Sequence, residues 1–427
     1  MRKNSRVTSS RILAKGHTIS NDTRLTGLNN NDCIIGPSGA GKTGGVVVPN
    51  LLMSEDSMVV ADTKGQLYKK YGKYLRKKGF RVECMDFVHP ERSATYNPLD
   101  YIHRYEENGE VLYREMDVKK IARLMVPPER AGHDDPFWRE SACNVLISLI
   151  AYVIEVLPSE EQHFGSVCAL YRQLSEETVR NPKGDVSFFK ELEDDNPESF
   201  AVKMYHMYSG NFPADKCWSS ILQFVANALD IFTYRESAPL FNGSSTISFP
   251  ELGLKKTVLF VNISDTDRSM DNMVNVFYSQ LLQSLCYEAD SQPDGRLKVP
   301  VRVMLDDFAA NVYIPDFDKI TSVIRSREIC VSIILQSISQ LNCMYKDGAA
   351  STIINNCDHL LYLGGQDINT AEFISKKVGC LPEKIMQMPL DKAWLFERGQ
   401  EPVLADKVSP YSMDTEMYEK TEKQPGM

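Results

Sequence analysis

Nothing in this chain marks a metal or disulfide framework. Its ten cysteines stand apart at 33, 84, 143, 168, 217, 286, 330, 343, 357 and 380. There is no Cys-x-x-Cys and no Cys/His pairing at zinc spacing, so neither a zinc site nor a redox dithiol is expected. The thiols read as reduced, mostly buried small hydrophobes of a cytosolic protein. Long apolar runs are missing too. The most apolar window, Ala142 to Leu157, is broken by Asn144, Ser148 and Glu155 and falls short of the roughly 20 residues a spanning helix needs. It reads as a buried core helix. The basic start, Met1 to Arg6, has no apolar stretch behind it, so neither a signal peptide nor an anchor is expected, and the chain reads as soluble. Internal repeats are absent. Positive charge is in deficit, with 48 Lys plus Arg against 57 Asp plus Glu and a net charge of -9. That argues against a protein that coats nucleic acid with its whole surface, while leaving local basic patches open.

What is present is globular in composition. The chain has 427 residues, 43% hydrophobic and 25% charged, which at roughly 150 residues per domain suggests two or three domains. From Asp32 to about Asp86, short apolar runs (Cys33 to Ile35, Met58 to Ala61, Val82 to Met85) alternate with helix-length segments. The pattern predicts a mostly parallel sheet covered by helices, an α/β fold. A second series follows at Thr257 to Ile263, Val301 to Leu305, Ile329 to Leu335, Leu360 to Leu363 and Ala393 to Phe396. Between the two series, from about Glu110 to Tyr234, apolar positions recur at helical spacing, as in Ala142, Leu146, Leu149, Ile150, Val153 and Leu157. The organisation predicted is therefore an α/β domain in two parts, 1–107 and 251–408, interrupted by an all-α domain over 108–250. A polar, loose tail over 409–427 closes the chain.

Gly36-Pro37-Ser38-Gly39-Ala40-Gly41-Lys42-Thr43 matches the P-loop pattern in full, directly after the apolar run ending at Ile35. Glycines let backbone N–H groups curl round a phosphate, Lys42 offers a point charge to the β and γ oxygens, and the Thr43 hydroxyl is a ligand for Mg²⁺. The plain alternative is a glycine-rich turn without a ligand. Pro49, eight residues past Gly41, should kink or shorten the following helix. The site needs a carboxylate on a neighbouring strand, and two are available: Asp62 after the run ending at Ala61, and Asp306-Asp307 after the run ending at Leu305. Asp62-Thr-Lys-Gly65 fits the Asp-x-x-Gly of GTPases, but the chain has no Asn-Lys-x-Asp or Thr-Lys-x-Asp to read guanine. Asp306 then fits the metal and Asp307 the water, unless the strand simply ends in acidic turn residues. The triphosphate site requires the glycine turn and the twin aspartates to meet on adjacent strand ends.

Two further features have plain readings beside functional ones. Lys69, Lys70, Lys73, Arg76, Lys77, Lys78 and Arg81 run without an acidic residue between Thr63 and Val82, interleaved with Tyr68, Tyr71 and Tyr74. They would suit phosphates or anionic lipid, but the favoured reading is a solvated outer helix. Phe137, Trp138 and Trp218 are assigned to core packing rather than to base stacking.

Taken in order, the P-loop, Asp62-Thr-Lys-Gly65, Asn97-Pro-Leu-Asp100, Asp135-Pro-Phe-Trp138, Leu305-Asp-Asp-Phe-Ala309, Leu335-Gln-Ser-Ile-Ser-Gln-Leu341 and Leu363-Gly-Gly-Gln-Asp367 resemble the TraG/VirD4 family of type IV secretion coupling proteins. The resemblance spans roughly residues 20 to 405. It implies a RecA-like P-loop NTPase, a hexameric ring when active and possible as a monomer in isolation. Such a ring couples ATP hydrolysis to passing single-stranded conjugative DNA, with its attached relaxase, into a membrane channel. It implies Lys42 and Thr43 as the Walker A pair, with Gly36 to Gly44 around the nucleotide, and Asp306 as the Walker B aspartate. Gln336 becomes a sensor of the γ-phosphate or water, and Arg325 an arginine finger toward a neighbouring subunit. Without the neighbour, Arg325 and Arg327 are ordinary helix-end cations. Two departures stand out. Relatives usually carry Glu where this chain has Asp307, which draws the carboxylate back by ~1.5 Å. They also carry N-terminal membrane helices, so the protein is expected at the inner face of the cytoplasmic membrane through a removed anchor or a separate membrane subunit. The open alternatives are an ATP-binding docking receptor with little turnover, and another DNA-pumping ATPase of the segregation or packaging type.

Overall fold

The computed structural model describes residues 9–126, 136–308, 312–346 and 348–413, which fall into two units. The first comprises residues up to 84, 249–268 and from 285 onward. It opens with a hairpin of β1 (Ser10–Ala14) and β2 (His17–Ser20) and continues into β3 (Asp32–Ile35), β4 (Ser57–Ala61) and β5 (Arg81–Asp86). The second unit contributes β6 (Arg104–Glu107) and β7 (Glu110–Tyr113), after which the first resumes with β8 (Thr257–Asn262), β9 (Val301–Leu305), β10 (Ile329–Leu335), β11 (His359–Tyr362), β12 (Lys392–Glu397) and β13 (Val403–Asp406).

Nine of these strands form one sheet in the order β13-β12-β11-β3-β10-β9-β4-β8-β5. The pairs β11/β3, β3/β10, β10/β9, β9/β4 and β4/β8 are parallel, while β11/β12 and β12/β13 are antiparallel. Every residue of β3, β4, β8, β9 and β10 is buried. Strands covered on both faces read as continuous apolar runs, which is why the sequence announced them. Their carboxyl ends all emerge at one edge of the sheet, where loops collect chemistry.

The opposite edge is held by buried charge. Asp32, at the start of β3, takes Arg302 Nη1 from β9 at 2.8 Å, Arg11 Nε from β1 at 3.0 Å and Ser332 Oγ from β10 at 3.1 Å. Burial works to raise its carboxyl, but Arg11 and Arg302 outweigh that and hold it below the usual range. Beside them His359 of β11 has no exposed side chain, and burial pushes its imidazole down to about 4. The ring stays neutral, with Nδ1 2.9 Å from Arg11 Nη2.

Among its described residues, the second unit, residues 85–248 and 269–284, is helical apart from the end of β5 and one hairpin. β6 and β7 pair antiparallel around Asn108 and Gly109, both at positive φ, so the expectation of an all-α segment over 108–250 does not hold at its start. The main helix, Pro136–Val156, is longer than the window that predicted it. By length and composition alone it is apolar enough to cross a membrane, yet Val145, Leu146, Leu149, Ile150 and Val153 show no exposure. Trp218 is buried, donates Nε1–H to Thr178 Oγ1 at 2.9 Å and stacks on Tyr208. Phe137 corrects the core assignment made for it: its ring is exposed and meets Trp138 edge-on. Asp135 and Ala309 of the quoted motifs lie outside the described residues. None of the ten cysteines is in a disulfide; Cys33, Cys143, Cys168 and Cys330 are buried and Cys343 is exposed.

Candidate functional site

The chain leaves β3 at Ile35 and turns at once. Gly36 N donates to Leu335 O at the end of β10 (3.0 Å), and a Cβ at Gly36 would stand 2.8 Å from Leu363 Cβ at the end of β11. The turn is therefore wedged between two neighbouring strand ends. Pro37, Ser38 and Gly39 are exposed, Ala40 N closes the bend onto Pro37 O at 3.2 Å, and Gly39 and Gly41 sit at φ +79° and +91°. Positive φ at these two positions is what an L side chain would oppose. Lys42 is buried, and its ammonium folds back over the turn to donate to Gly36 O at 2.9 Å and Pro37 O at 3.1 Å. Those carbonyls hold the cation where the loop would close around an anion.

Helix begins at Thr43, but as a π-turn through Val47 that passes into an α-helix over Val48–Met53. The disturbance expected at Pro49 is thus a widened turn ahead of it, and the short helix runs on to Met53. The wider turn absorbs the missing N–H, a familiar use of π-bulges near functional sites. Asn50 pins this helix to the β1 hairpin: Ile12 N donates to its Oδ1 at 2.9 Å, and its Nδ2 donates to Ile12 O and Val46 O, both at 2.8 Å.

Across the turn, Thr43 Oγ1 donates to Asp306 Oδ2 at 2.6 Å, a contact between residues 263 positions apart. Lys42 Nζ lies 3.8 Å from Asp307 Oδ1, and Gln336 Nε2 donates to the same oxygen at 3.4 Å. Lys42, Thr43, Asp306, Asp307 and Gln336 are therefore one cluster. The strands are not adjacent as the sequence reading required: β10 runs between β3 and β9, and Gln336, at the end of β10, occupies the interval. Burial pushes the Asp306 carboxyl up; the Thr43 hydroxyl opposes the rise, Asp307 adds to it and Lys42 opposes it. A carboxylate so placed is short of positive charge, and with the Thr43 hydroxyl it offers the hard oxygens that Mg²⁺ prefers. Asp307 carries φ +51° and is partly exposed. A non-glycine residue in that conformation holds local strain, the kind found where a side chain must be aimed.

Asp62 has another task. Its carboxylate accepts Gln66 N at 3.1 Å and Tyr68 N at 3.0 Å, capping the helix Gln66–Lys77. Burial raises its carboxyl against the pull of these N–H groups. On that helix Lys69, Lys70, Lys73 and Lys77 are exposed, Tyr71 is fully buried and Tyr68 and Tyr74 are half-buried. The tyrosines face the core and the cations face solvent. Asn97 and Asp100 are likewise scaffold: Asn97 Oδ1 caps Leu99 N at 3.1 Å and Asp100 Oδ2 accepts Ser245 N at 2.8 Å. Asp367 caps the helix Ile368–Val378 and takes Ser339 Oγ at 2.9 Å.

Arg325 is not brought to this cluster. It precedes β10, which runs parallel to β3, so it stands at the amino end of the strands while the P-loop stands at the carboxyl end. Seven residues of strand separate the two by about 20 Å, and its guanidinium donates to Gly27 O at 2.8 Å.

What the sequence reading missed lies at the chain's far end. Lys407 Nζ donates to Leu363 O at 2.7 Å and Ala40 O at 3.3 Å, and Tyr411 N donates to Gly44 O at 3.1 Å. The stretch after Ser409 is thus not loose at its start. Its polar composition hid a packed segment whose partners lie some 370 residues earlier, and only Pro410-Tyr411 hinted at it.

A model of the family described as type IV secretory system conjugative DNA transfer matches residues 3–381. VirD4 of Agrobacterium fabrum is 21% identical over 370 residues, covering 85% of this chain and 52% of VirD4. An Escherichia coli conjugal transfer protein TraG is 24% identical over 371 residues, covering 80% of this chain and 54% of TraG. The chain spans about half the length of the curated relatives it matches. Among solved structures, the plasmid coupling protein TrwB in complex with the ATP analogue ADPNP has a TM-score of 0.67 at 17% identity, covering 95% of this chain and 90% of TrwB. VirB4 of Thermoanaerobacter pseudethanolicus has a TM-score of 0.55 at 12% identity, covering 97% and 99%. These two likenesses carry the RecA-like α/β fold.

Proposed function

This chain belongs to the type IV secretory system conjugative DNA transfer family, and we propose that it is an ATP-driven coupling protein, recruiting DNA with its attached relaxase and moving it toward a membrane channel. The observation that carries the reading is the 2.6 Å bond from Thr43 Oγ1 to Asp306 Oδ2, with Lys42 and Gln336 both turned toward Asp307. Residues from the first and last chain segments of the first unit converge at the carboxyl edge of a parallel sheet, where a triphosphate would lie. TrwB, which shares the fold, has been solved with ADPNP and with ADP and Mg²⁺.

The chemistry follows from the residues. The P-loop amides and the start of the helix receive the phosphate chain. The Lys42 ammonium exchanges the carbonyls of Gly36 and Pro37 for phosphate oxygens. Thr43 Oγ1 and the Asp306 carboxylate are the groups that would hold Mg²⁺, which when bound offsets charge on the β and γ oxygens. Asp307 accepts a proton from the attacking water, and Gln336 orients that water from the strand between. Arg325 has no path to the phosphates of its own chain. It acts on a neighbour's nucleotide in a ring of six, where such an arginine contributes 10³ to 10⁵ in rate. Phosphate-directed contacts would let DNA pass without regard to sequence. Attachment at the membrane comes from a partner subunit or a further segment of the protein.

Steady-state ATP hydrolysis with and without single-stranded DNA tests the reading. DNA is expected to stimulate turnover, and Lys42→Ala to abolish it. ATP binding without turnover in either condition would instead favour the docking receptor, which the short Asp307 side chain supports. Plasmid transfer that survives deletion of the gene would favour a segregation or packaging motor.

A further inference from the structure

A triphosphate in the P-loop leaves its ribose and base outside the glycine turn, and the sheet order tells on which side. Asp306, Asp307 and Gln336 end β9 and β10, both to one side of β3. The γ-phosphate belongs there, with Lys42. The α-phosphate then lies at the helix start by Thr43 and Gly44, and the base beyond it leads toward the other flank, β11 to β13. From that flank the chain leaves β13 at Asp406 and crosses the start of the P-loop helix.

The crossing is built rather than incidental. Lys407 ties one end of the segment to Leu363 O and Ala40 O, and Met413 packs against the core at the other. Between them Tyr411 N donates to Gly44 O. That carbonyl is free to accept it because a continuing π-turn would aim the N–H of residue 49 there, and residue 49 is proline. A Cβ on Gly44 would stand 2.9 Å from Pro410 Cβ and 3.0 Å from Tyr411 Cε2, and one on Gly45 would stand 2.8 Å from Val408 O. The two glycines after Thr43 thus admit the backbone of the crossing segment. The Tyr411 ring beside Gly44 is 47% exposed, with Lys70 Nζ 4.7 Å from its centroid. The ring is thus half exposed beside the start of a phosphate-binding helix, and a base stacking on it would take the place of the Lys70 ammonium.

We propose that residues 407–411 form a strap that binds the base of the nucleotide, with Tyr411 stacking on the ring and Lys407 and Gly44 fixing the strap's position. This deepens the nucleotide reading and rests on it. The strap offers a ring face but no side chain placed to read a base edge, so it accepts any purine nucleoside triphosphate.

Binding of ADPNP and of inorganic tripolyphosphate to the full chain tests this. Tyr411→Ala is expected to weaken ADPNP between about 5- and 150-fold, the range of one lost base stack, and to leave tripolyphosphate within about twofold. Tyr411→Phe is expected to restore ADPNP binding. The proposal is overturned if Tyr411→Ala leaves ADPNP unchanged or tightens it, which would make the strap an obstruction. Equal weakening of both ligands, or failure of Tyr411→Phe to restore binding, would also overturn it by reducing Tyr411 to a structural prop. If the unaltered chain binds neither ligand, the P-loop reading fails; if it binds both equally well, only the strap does.

Discussion

Two aspartates follow buried apolar strands in this chain, and hydrogen bonds separate their tasks. Asp62 spends its oxygens on the N–H groups of Gln66 and Tyr68, while Asp306 spends one on the hydroxyl of Thr43. Asp62→Ala is therefore expected to cost about 1 kcal/mol of stability, as for a lost cap, measured by urea denaturation. ATP turnover at saturating nucleotide should stay within about twofold. A collapse of turnover with unchanged stability would return Asp62 to the metal site. At this scale the sequence was informative about residue type. Lys42, Thr43 and Asp306 declared themselves because a glycine pattern and an apolar strand flank them. The left-handed backbone of Asp307 did not, since handedness at one position is imposed by the packing around it.

Whole elements were legible where burial was complete. The runs at Cys33, Met58, Val301 and Ile329 became β3, β4, β9 and β10 with ends within a residue or two. Strand order was not legible, because it depends on contacts across hundreds of positions. β6 and β7 were missed although Asn108-Gly109 is a strong hairpin signal: every residue of β6 is exposed and no apolar run drew attention to it. The P-loop helix was expected to kink or shorten at Pro49; it is a short helix to Met53 whose distortion takes the form of a π-turn just before the proline. Asn50, just past that proline, joins the helix to β1 through two hydrogen bonds to Ile12 while almost wholly buried. Asn50→Ala should cost about 2–4 kcal/mol by stranding the Ile12 backbone groups. Hydrogen exchange at Ile12 should accelerate together with the drop in the urea midpoint, and protection retained at Ile12 would refute the link.

At the scale of the molecule, buried charge makes stability depend on pH. His359 titrates at about 4 in the folded chain against roughly 6.5 when unfolded. Above pH 6.5 neither state holds the extra proton. As pH falls from 6.5 toward 4 only the unfolded chain takes it up, so stability is lost across that window, by about 2 kcal/mol between pH 7 and pH 5. His359→Gln should flatten this part of the curve, and parallel curves would show that the imidazole is not the source. The ring proposed for Arg325 has its own signature. Mixed in equal amounts, Lys42→Ala and Arg325→Ala chains, each inactive alone, should recover about a quarter of full turnover, the share of interfaces pairing an intact lysine with an intact arginine in a random closed ring. No recovery in assembled mixtures would remove Arg325 from catalysis.

The position of β3 between β10 and β11 also sets a clock. The ribosome releases β3 early, yet both of its flanking strands are encoded some 300 codons downstream. At 5–20 residues per second, the nascent strand waits for about 15 to 60 seconds with both edges bare. A ribosome stalled before His359 would leave a chain with an unpaired β3 edge, prone to aggregation, so transcripts truncated there are expected to yield inclusion bodies and to recruit holdase chaperones.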